Sequence, residues 1–349
     1  MKQINCNSYN IYINNWDALN DYIANGDYSS IFVLVDNITL QLCFPLFEEK
    51  FSSLFKVIVT PNGEVNKTLN TCNLIWDQLN QLGADRHSLC INLGGGVIGD
   101  MGGFAASTFM RGMDFIQVPT TLLSQVDASV GGKLGVDYNN YKNLIGIFKN
   151  PGAVFIYTDF LKTLPYHQLL SGFAEVIKHG LIKDISAFQK LTILESLIDI
   201  DWEELVYESV LIKKSITEED PNERGIRKIL NFGHTFGHAI ESHALSNAIP
   251  LLHGEAIAIG MVLEAHLSLQ KGDLELADVD LIKDKILMLY GHHPDHIPTI
   301  KILMDLMSKD KKNKGGIIKF SLLEKLGKGN FDQEVTIGEI EKAISFYKA

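Results

Sequence analysis

The chain has 349 residues, of which 46% are hydrophobic and 21% are charged, and its formal net charge is −11 at pH 7. Its length predicts two domains, because single cores stop growing at about 250 to 300 residues. The acidic balance argues against a nucleic-acid partner, which requires a basic surface. The chain has no signal-peptide pattern at its N-terminus, no apolar run of about 18 residues and no C-x-x-C pair. We therefore expect a cytoplasmic protein with neither nucleic acid nor membrane as a partner.

Three short apolar runs in the first part of the chain predict parallel strands, at residues 31–36, 56–60 and 88–93. Each run is followed by a turn signal or by a helical pattern, as in strands joined by crossovers. Residues 67–83 have the periodicity of an amphipathic helix that ends on Gly83. Residues 1–160 are therefore predicted to form a Rossmann-like open α/β sheet domain.

A glycine-rich segment, GGGVIGDMGGFAASTFMRG at residues 94–112, follows the strand predicted at 88–93. Glycines after a strand and before a helix let backbone amides approach a pyrophosphate. The spacing is not G-x-G-x-x-G, so a tight turn with close helix packing is an alternative. Asp36 at a strand end, with Glu64 and Lys67 before the next helix, favours a nucleotide.

A second segment of small and glycine residues runs from 117 to 143. Thr120 and Thr121 are suited to cap a helix, while Asp127, Lys133 and Lys142 place alternating charges along the segment. A solvated surface loop is one interpretation. A functional loop is the other, because long irregular segments in compact domains usually have a role.

The second part of the chain, residues 161–349, is predicted to be an all-helical domain. Helical periodicity is found at 168–183, 201–217, 229–245 and 254–271, with few strand signals.

A cluster of ionisable groups lies on one of these predicted helices. At roughly 100° per residue, Arg227, Asn231, His234 and His238 fall on one narrow face between apolar neighbours. A buried polar stripe is costly unless a partner satisfies it. A metal ion together with an anionic ligand would do so.

Catalytic zinc takes three protein ligands, commonly His and carboxylate, and Glu175, His234 and His253 make such a set. Histidines that are simply satisfied in a core are the alternative. Four cations are candidates to neutralise a doubly anionic substrate. Arginine suits a carboxylate better than lysine does, because it can donate two parallel hydrogen bonds. The four candidates are Lys133, Lys178, Lys213 and Arg227.

Together these motifs resemble the 3-dehydroquinate synthase family of the sugar phosphate cyclase superfamily. The likeness runs in order from about Asp36 to Gly327. It is carried by GGGVIGD, RGMDFIQVPTTLLSQVDASVGGK, GFAEVIKHG, ERGIRKILNFGHTFGHA, LHGEA and DKKNKGG.

The resemblance implies a lyase of the shikimate pathway, which leads to chorismate and the aromatic amino acids. Such an enzyme converts 3-deoxy-D-arabino-heptulosonate 7-phosphate to 3-dehydroquinate and phosphate. The chemistry comprises oxidation by NAD, phosphate elimination, reduction, ring opening and aldol closure, so NAD acts catalytically. The resemblance also implies zinc or cobalt, a sugar phosphate substrate and a homodimer.

The resemblance also implies roles for individual residues. Metal ligation falls to Glu175, His234 and His253. NAD would contact Asp36, Glu64, Lys67, Gly95, Gly96, Val97, Asp100, Thr120, Thr121, Lys142 and Thr163. The substrate would contact Arg111, Asp127, Lys133, Asn143, Lys178, Lys213, Arg227, Asn231, His238 and one or both of Lys311 and Lys312. Glu223 and His238 match proton acceptors of the family.

Three alternatives stay open. Other sugar phosphate cyclases act on sedoheptulose 7-phosphate or glucose 6-phosphate, which have no carboxylate. A metal- and NAD-dependent polyol dehydrogenase would consume NAD as a substrate. A non-catalytic protein of the same fold would have lost a metal ligand or a phosphate-binding cation, and none is missing from this sequence.

Overall fold

The structure is a computed structural model that describes residues 1–139, 141–247, 251–308 and 318–349. These residues form two compact units, Met1–Pro165 with Asp201–Lys214, and Tyr166–Ile200 with Ser215–Ala349. The predicted boundary at residue 160 differs from this division, chiefly because Asp201–Lys214 belongs to the first unit. Helical periodicity indicates which face of a segment is buried, but not the unit on which it packs.

The first unit is built on a seven-stranded sheet and a separate hairpin. Their strands are β1 (Lys2–Asn5), β2 (Asn10–Ile13), β3 (Ile31–Asp36), β4 (Lys56–Thr60), β5 (Leu89–Gly94), β6 (Asp114–Pro119), β7 (Lys133–Tyr138), β8 (Tyr141–Phe148) and β9 (Ala153–Ile156). The sheet order is β1-β2-β9-β6-β5-β3-β4, and only β1 and β2 pair antiparallel within it. The predicted open α/β sheet is confirmed. β7 and β8 form the antiparallel hairpin, which the sequence analysis left as an irregular segment.

Helices cover both faces of this sheet. They are α1 (Trp16–Ala24), α2 (Asn37–Leu42), α3 (Phe44–Lys50), α4 (Leu69–Gln81) and α5 (Gly96–Thr108). Side chains of β3 alternate between two cores: Val33 and Val35 face one, with residues of α1 and α3, while Phe32 and Leu34 face the other, with residues of α4 and α5. A strand buried on both faces is therefore apolar along its whole length.

The second unit is mainly helical. Its elements, including one helix that begins in the first unit, are α6 (Tyr166–Lys183), α7 (Ile185–Thr192), α8 (Trp202–Glu219), α9 (His234–Ser246), α10 (His253–Gln270), α11 (Leu276–Tyr290), α12 (Ile300–Ser308), α13 (Ile337–Lys348), β10 (Lys319–Lys325) and β11 (Lys328–Glu334). The predicted helical second part is confirmed, with the antiparallel β10–β11 hairpin as an addition. Within the described ranges, no helix has the length and apolar character needed to cross a membrane.

One predicted helix was wrong at its start. The segment expected at 229–245 is broken at Gly233, whose φ of +81° lies in the left-handed region that favours glycine. A Cβ there would also lie 2.6 Å from Met261 Cγ. Residues Ile226–Asn231 form a short 3₁₀ turn before the break, and α9 begins at His234. Arg227 and Asn231 therefore do not share a helix with the two histidines.

Candidate active site

The glycine-rich segment forms the turn from β5 into α5, at the carboxyl end of a central parallel strand. Gly95 is the N-cap of α5, and Gly96 and Val97 are its first two residues. A Cβ on Gly94 would lie 2.6 Å from Ile98 Cβ, and one on Gly95 would lie 3.1 Å from Thr121 Cγ2. Glycine is therefore needed for the close packing of this turn, and the backbone amides of a helix N-terminus also suit an anion. A tight turn with close helix packing and a site for a pyrophosphate are therefore compatible interpretations of this segment.

Lys67 is the centre of a buried polar cluster in the first unit. Its Nζ lies 2.6 Å from Asp100 Oδ2 and 2.6 Å from Asn143 Oδ1. Burial alone would lower the pKa of Lys67, but attraction to Asp100 and Glu64 outweighs burial and raises it. A more exposed pair joins Lys142 Nζ to Glu64 Oε1 at 3.9 Å. The structure thus brings five of the predicted polar residues together, as a group of three around Lys67 and a neighbouring pair.

Asp36 lies at the end of β3 and caps α2. Its Oδ1 accepts the backbone N–H groups of Ile38 at 2.9 Å and Thr39 at 2.7 Å. These bonds fix the carboxylate at the carboxyl edge of the sheet, the edge at which open α/β sheets bind ligands.

Cys43 lies near two of the predicted cofactor residues, and the sequence analysis did not single it out. Burial raises the pKa of its thiol to about 11, although the side chains of Thr163 and Thr120 act to lower it. Thr121, beside Thr120, accepts the N–H of Ser124 through Oγ1 at 3.2 Å. This bond caps the helical turn that begins there, as the sequence suggested.

The first unit also positions several residues expected to contact the substrate. Lys213 on α8 is buried, and its Nζ lies 2.7 Å from Asp127 Oδ1. Lys133 begins β7. Arg111 has a φ of +68°, a conformation that a non-glycine residue adopts only when its surroundings hold it there.

In the second unit, three side chains that are far apart in the sequence converge. One carboxylate oxygen of Glu175 on α6 and one ring nitrogen each of His234 and His253 all lie within 4.8 Å of one another. The Nε2 atoms of the two histidines are 3.5 Å and 3.7 Å from the same oxygen, Glu175 Oε1. Two ligand atoms of a tetrahedral zinc lie about 3.4 Å apart, given bond lengths of about 2.0–2.1 Å. The spacing and the donor set of one carboxylate and two imidazoles therefore fit a divalent metal.

The other nitrogen of each ring is oriented by a neighbour. His234 Nδ1 lies 3.1 Å from Phe232 O, and His253 Nδ1 lies 3.3 Å from Glu241 Oε2. Such outer partners fix the tautomer and direction of metal-binding histidines. Burial alone would lower the pKa of His253, but the nearby carboxylates of Glu175 and Glu241 raise it to about 9.

The sequence analysis missed Glu241, although it lies three residues after His238 on the same helix. That spacing brings side chains together. The acid itself is 8% exposed, so it is not one of the solvated acids common on helix surfaces.

A cation and a further imidazole lie beside these three side chains. Lys178, one turn after Glu175 on α6, forms a buried ion pair with Glu175 Oε2. The ring centroid of His238 lies 5.1 Å from that of His234 and 5.8 Å from that of His253. A positive charge and a third imidazole therefore lie beside the candidate metal ligands.

The remaining predicted residues of the second unit that the structure describes lie in a loop whose backbone is capped by Asp220. The backbone N–H groups of Arg224, Gly225 and Arg227 donate to Asp220, and together they lower its pKa although burial alone would raise it. Arg227 is 1% exposed, and its Nη1 donates to Pro221 O at 2.7 Å.

The same loop also brings two other predicted residues together, because Asn231 Nδ2 donates to Glu223 Oε1 at 3.1 Å. Lys311 and Lys312 lie outside the described residues.

Comparisons with known proteins match this organisation. The family profile of the 3-dehydroquinate synthase N-terminal region matches residues 57–171, and that of the C-terminal region matches residues 172–313. The 3-dehydroquinate synthase of Parabacteroides distasonis is 42% identical over 338 residues, 95% of this chain and 94% of the relative. That of Dictyoglomus thermophilum is 40% identical over 344 residues, 96% of this chain and 94% of the relative.

Solved structures of two other synthases have a similar fold over almost the whole chain. A 2-epi-5-epi-valiolone synthase from Streptomyces hygroscopicus with NAD⁺ and Zn²⁺ bound has a TM-score of 0.83 and 26% identity, covering 100% of this chain and 99% of its own. A 2-deoxy-scyllo-inosose synthase in complex with carbaglucose-6-phosphate, NAD⁺ and Co²⁺ has a TM-score of 0.82 and 26% identity, covering 98% of both chains. The profiles match more than half of the chain, and the relatives exceed 30% identity over almost all of it. The chain therefore belongs to the 3-dehydroquinate synthase family.

Proposed function

We propose that this protein is a 3-dehydroquinate synthase, a phosphate-eliminating carbon–oxygen lyase with catalytic NAD⁺ and a divalent metal. Its substrate is 3-deoxy-D-arabino-heptulosonate 7-phosphate, and its products are 3-dehydroquinate and phosphate. The observation that carries the proposal is the convergence of Glu175, His234 and His253 in a chain whose curated relatives bear this name.

Zinc or cobalt is assigned to Glu175, His234 and His253. When bound, the metal would supply polarisation of a substrate oxygen, and NAD⁺ would supply reversible hydride transfer. Glu241 orients the ring of His253, and the Nδ1–H of His234 donates to Phe232 O, which leaves the lone pair of Nε2 for the metal. These contacts set the directions of both imidazoles, as a catalytic metal site requires.

NAD⁺ is assigned to the carboxyl edge of the first unit's sheet. The amides that open α5 offer an anion site to a pyrophosphate, and the ordered carboxylate of Asp36 lies at the end of β3. The solved cyclases with NAD⁺ support this assignment. The assigned contacts are Asp36, Glu64, Lys67, Gly95, Gly96, Val97, Asp100, Thr120, Thr121, Lys142 and Thr163.

The cations are assigned to the two anionic ends of the substrate. Lys213 and Arg227 hold the carboxylate, and arginine can do so through two parallel hydrogen bonds. Lys133, Asn143 and His238 are assigned positions nearer the phosphate. The further contacts are Arg111, Asp127, Lys178, Asn231 and one or both of Lys311 and Lys312.

Proton transfer is assigned to Glu223 and His238. Asn231 donates to Glu223 Oε1, so the carboxylate is held in a fixed position from which it can accept a proton. The reaction steps need only modest bases, and the substrate's own phosphate can act as one. Orientation of the substrate by fixed cations then supplies much of the rate enhancement.

The substrate is the point on which related enzymes differ. Cyclases that use sedoheptulose 7-phosphate or glucose 6-phosphate have no substrate carboxylate to bind, whereas this chain buries Arg227 at 1% exposure in the loop capped by Asp220. A probable glycerol dehydrogenase from Sinorhizobium meliloti has a TM-score of 0.61 at 12% identity over 97% of both chains. That likeness concerns the fold alone.

The test is incubation of the protein with each of the three sugar phosphates, trace NAD⁺ and Zn²⁺, followed by product identification. We expect phosphate release and a dehydroquinate product from the heptulosonate phosphate alone. Turnover of either substrate that lacks a carboxylate, without turnover of the heptulosonate phosphate, would contradict the proposal.

We also propose that the protein works as a homodimer in the cytoplasm. Light scattering on the purified protein tests the dimer directly. A monomeric mass at concentrations used for activity would contradict it.

A further inference from the structure

A buried carboxylate holds the start of α9. Glu264 on α10 is fully buried. Its Oε2 accepts the N–H of Gly233 at 2.6 Å, and its Oε1 accepts those of Thr235 at 3.1 Å and Phe236 at 3.3 Å. These three amides surround His234 in the sequence. A buried carboxylate is tolerated when several donors satisfy its charged form.

The backbones of α9 and α10 meet at the same point. Gly260 lies one helical turn before Glu264, and a Cβ on Gly260 would be only 2.0 Å from Gly233 O. Gly233 itself needs its left-handed conformation to end the preceding 3₁₀ turn. The close approach places the Glu264 carboxylate directly on the first amides of α9, so the direction in which α9 begins is fixed by α10.

The partial charge at the start of α9 affects how well a cation can bind there. His234 is the first residue of α9, at the helix end that carries a partial positive charge. A dication held by that histidine would be repelled by the helix dipole. The carboxylate bonded to the same amides offsets the partial charge, and such effects are strong where water is excluded.

We infer that Glu264 is a positioning residue of the metal site, which fixes His234 before the metal binds and offsets the dipole of α9. The inference rests on the proposed metal site and adds a residue to it. Glu264 contacts no ligand in this account and acts only through His234.

The test is titration of the metal-free protein with Co²⁺, followed by visible absorption. Glu264→Gln keeps the size of the side chain but removes its charge, and its amide NH₂ group replaces an acceptor oxygen opposite one of the backbone N–H donors. We expect the dissociation constant for Co²⁺ to rise roughly 10- to 100-fold, the usual effect of losing an outer partner of a metal ligand. The absorption of the bound cobalt should also change, because His234 is no longer held in one direction.

Ser268→Ala is the matched control. Ser268 is fully buried on the same helix, one turn after Glu264, and its Oγ donates to Glu264 O and accepts the N–H of Leu323. This change should lower the melting temperature but leave cobalt affinity and absorption as in the wild type. A Glu264→Gln protein with wild-type affinity and absorption would overturn the inference.

Hydrogen exchange of the wild type makes the test independent of whether the variant folds. The inference expects the amides of Gly233, Thr235 and Phe236 to be protected already in the metal-free protein. Free exchange in this segment until metal is added would overturn it. If the wild type binds no cobalt, the metal site and this inference fail together, whereas wild-type binding with an unchanged variant defeats only the role of Glu264.

Discussion

Lys67 and Asp100 form an ion pair in the first unit, with Nζ and Oδ2 2.6 Å apart and side chains 5% and 19% exposed. The pair joins the segment before α4 to the first turns of α5. Because α5 begins with the turn assigned to the NAD⁺ pyrophosphate, the pair ties the stability of the first unit to its proposed cofactor site.

Replacing Lys67 with Met should destabilise the protein by about 3 kcal/mol, because it leaves the Asp100 carboxylate partly buried without its cation. NAD⁺ affinity should fall as well. Urea unfolding without cofactor and a fluorescence titration with NAD⁺ measure the two effects. Lys142→Met is the stability control, because Lys142 belongs to a more exposed pair, 3.9 Å from Glu64, and should cost less than about 1 kcal/mol. Equal losses of unfolding free energy in the two variants would contradict this account.

Replacing His234 with Ala should abolish metal binding and activity together, since one of three protein ligands is lost. Metal content after dialysis and the rate of phosphate release measure the outcome. His243→Ala removes the same side chain from the same helix at a position outside the converging groups, and it should retain both properties. An active, metal-free His234→Ala protein would remove the ligand assignment.

Replacing Arg227 with Lys should raise KM for the heptulosonate phosphate roughly 10- to 100-fold, because lysine keeps the charge but loses the bidentate hydrogen bonds. Steady-state kinetics measures the change. Lys228→Arg is the adjacent control. Lys228 is 31% exposed and pairs with Asp332, so this variant should have the KM of the wild type. Unaltered kinetics in Arg227→Lys would contradict its role at the carboxylate.

Glu339 should give the second unit a stability that depends on pH. It is 19% exposed, its Oε1 lies 2.7 Å from Lys271 Nζ, and its Oε2 accepts the N–H of Thr336 at 2.6 Å. The hydrogen bond with Lys271 comes first among the causes that lower its pKa from 4.5 to about 2. A depressed carboxyl pKa stabilises the fold above the unfolded-state value, and the contribution is lost as pH falls from 4.5 toward 2.

Glu339→Gln should therefore cost about 2 kcal/mol at pH 7 and progressively less below pH 4.5, as urea unfolding across this range would measure. Glu341→Gln, on the exposed face of the same helix, is the control and should cost little at any pH. A difference between Glu339→Gln and the wild type that stays constant down to pH 3 would contradict the ion pair.

Elements with one clear hydrophobic period were predictable from the sequence. β3 and β4 were predicted at their observed bounds, and α4 within two residues at each end. The break at Gly233 was not predictable, because the angular argument for the stripe assumed a continuous helix. The pairing of β7 with β8 was missed, since the glycines and short apolar alternation of these strands resemble a loop as much as a strand pair.

The candidate site was predictable where chemistry limits the choice of residue. Glu175, His234 and His253 were grouped because few residue types bind zinc, and the structure brings them together although α7 and α8 lie between Glu175 and His234 in the sequence. Glu241, Cys43 and Glu264 were not found. Acids and single cysteines are common in helices, and only the tertiary packing that buries them distinguishes these three.

The most direct test of the proposed function is the stoichiometry of NAD⁺ in turnover. Protein loaded with Zn²⁺ is given the heptulosonate phosphate and NAD⁺ at one hundredth of the substrate concentration, while phosphate and the absorbance of NADH are followed together. The account predicts complete release of phosphate without accumulation of NADH. Phosphate release that stops when NAD⁺ is exhausted, with NADH formed in equal amount, would contradict it.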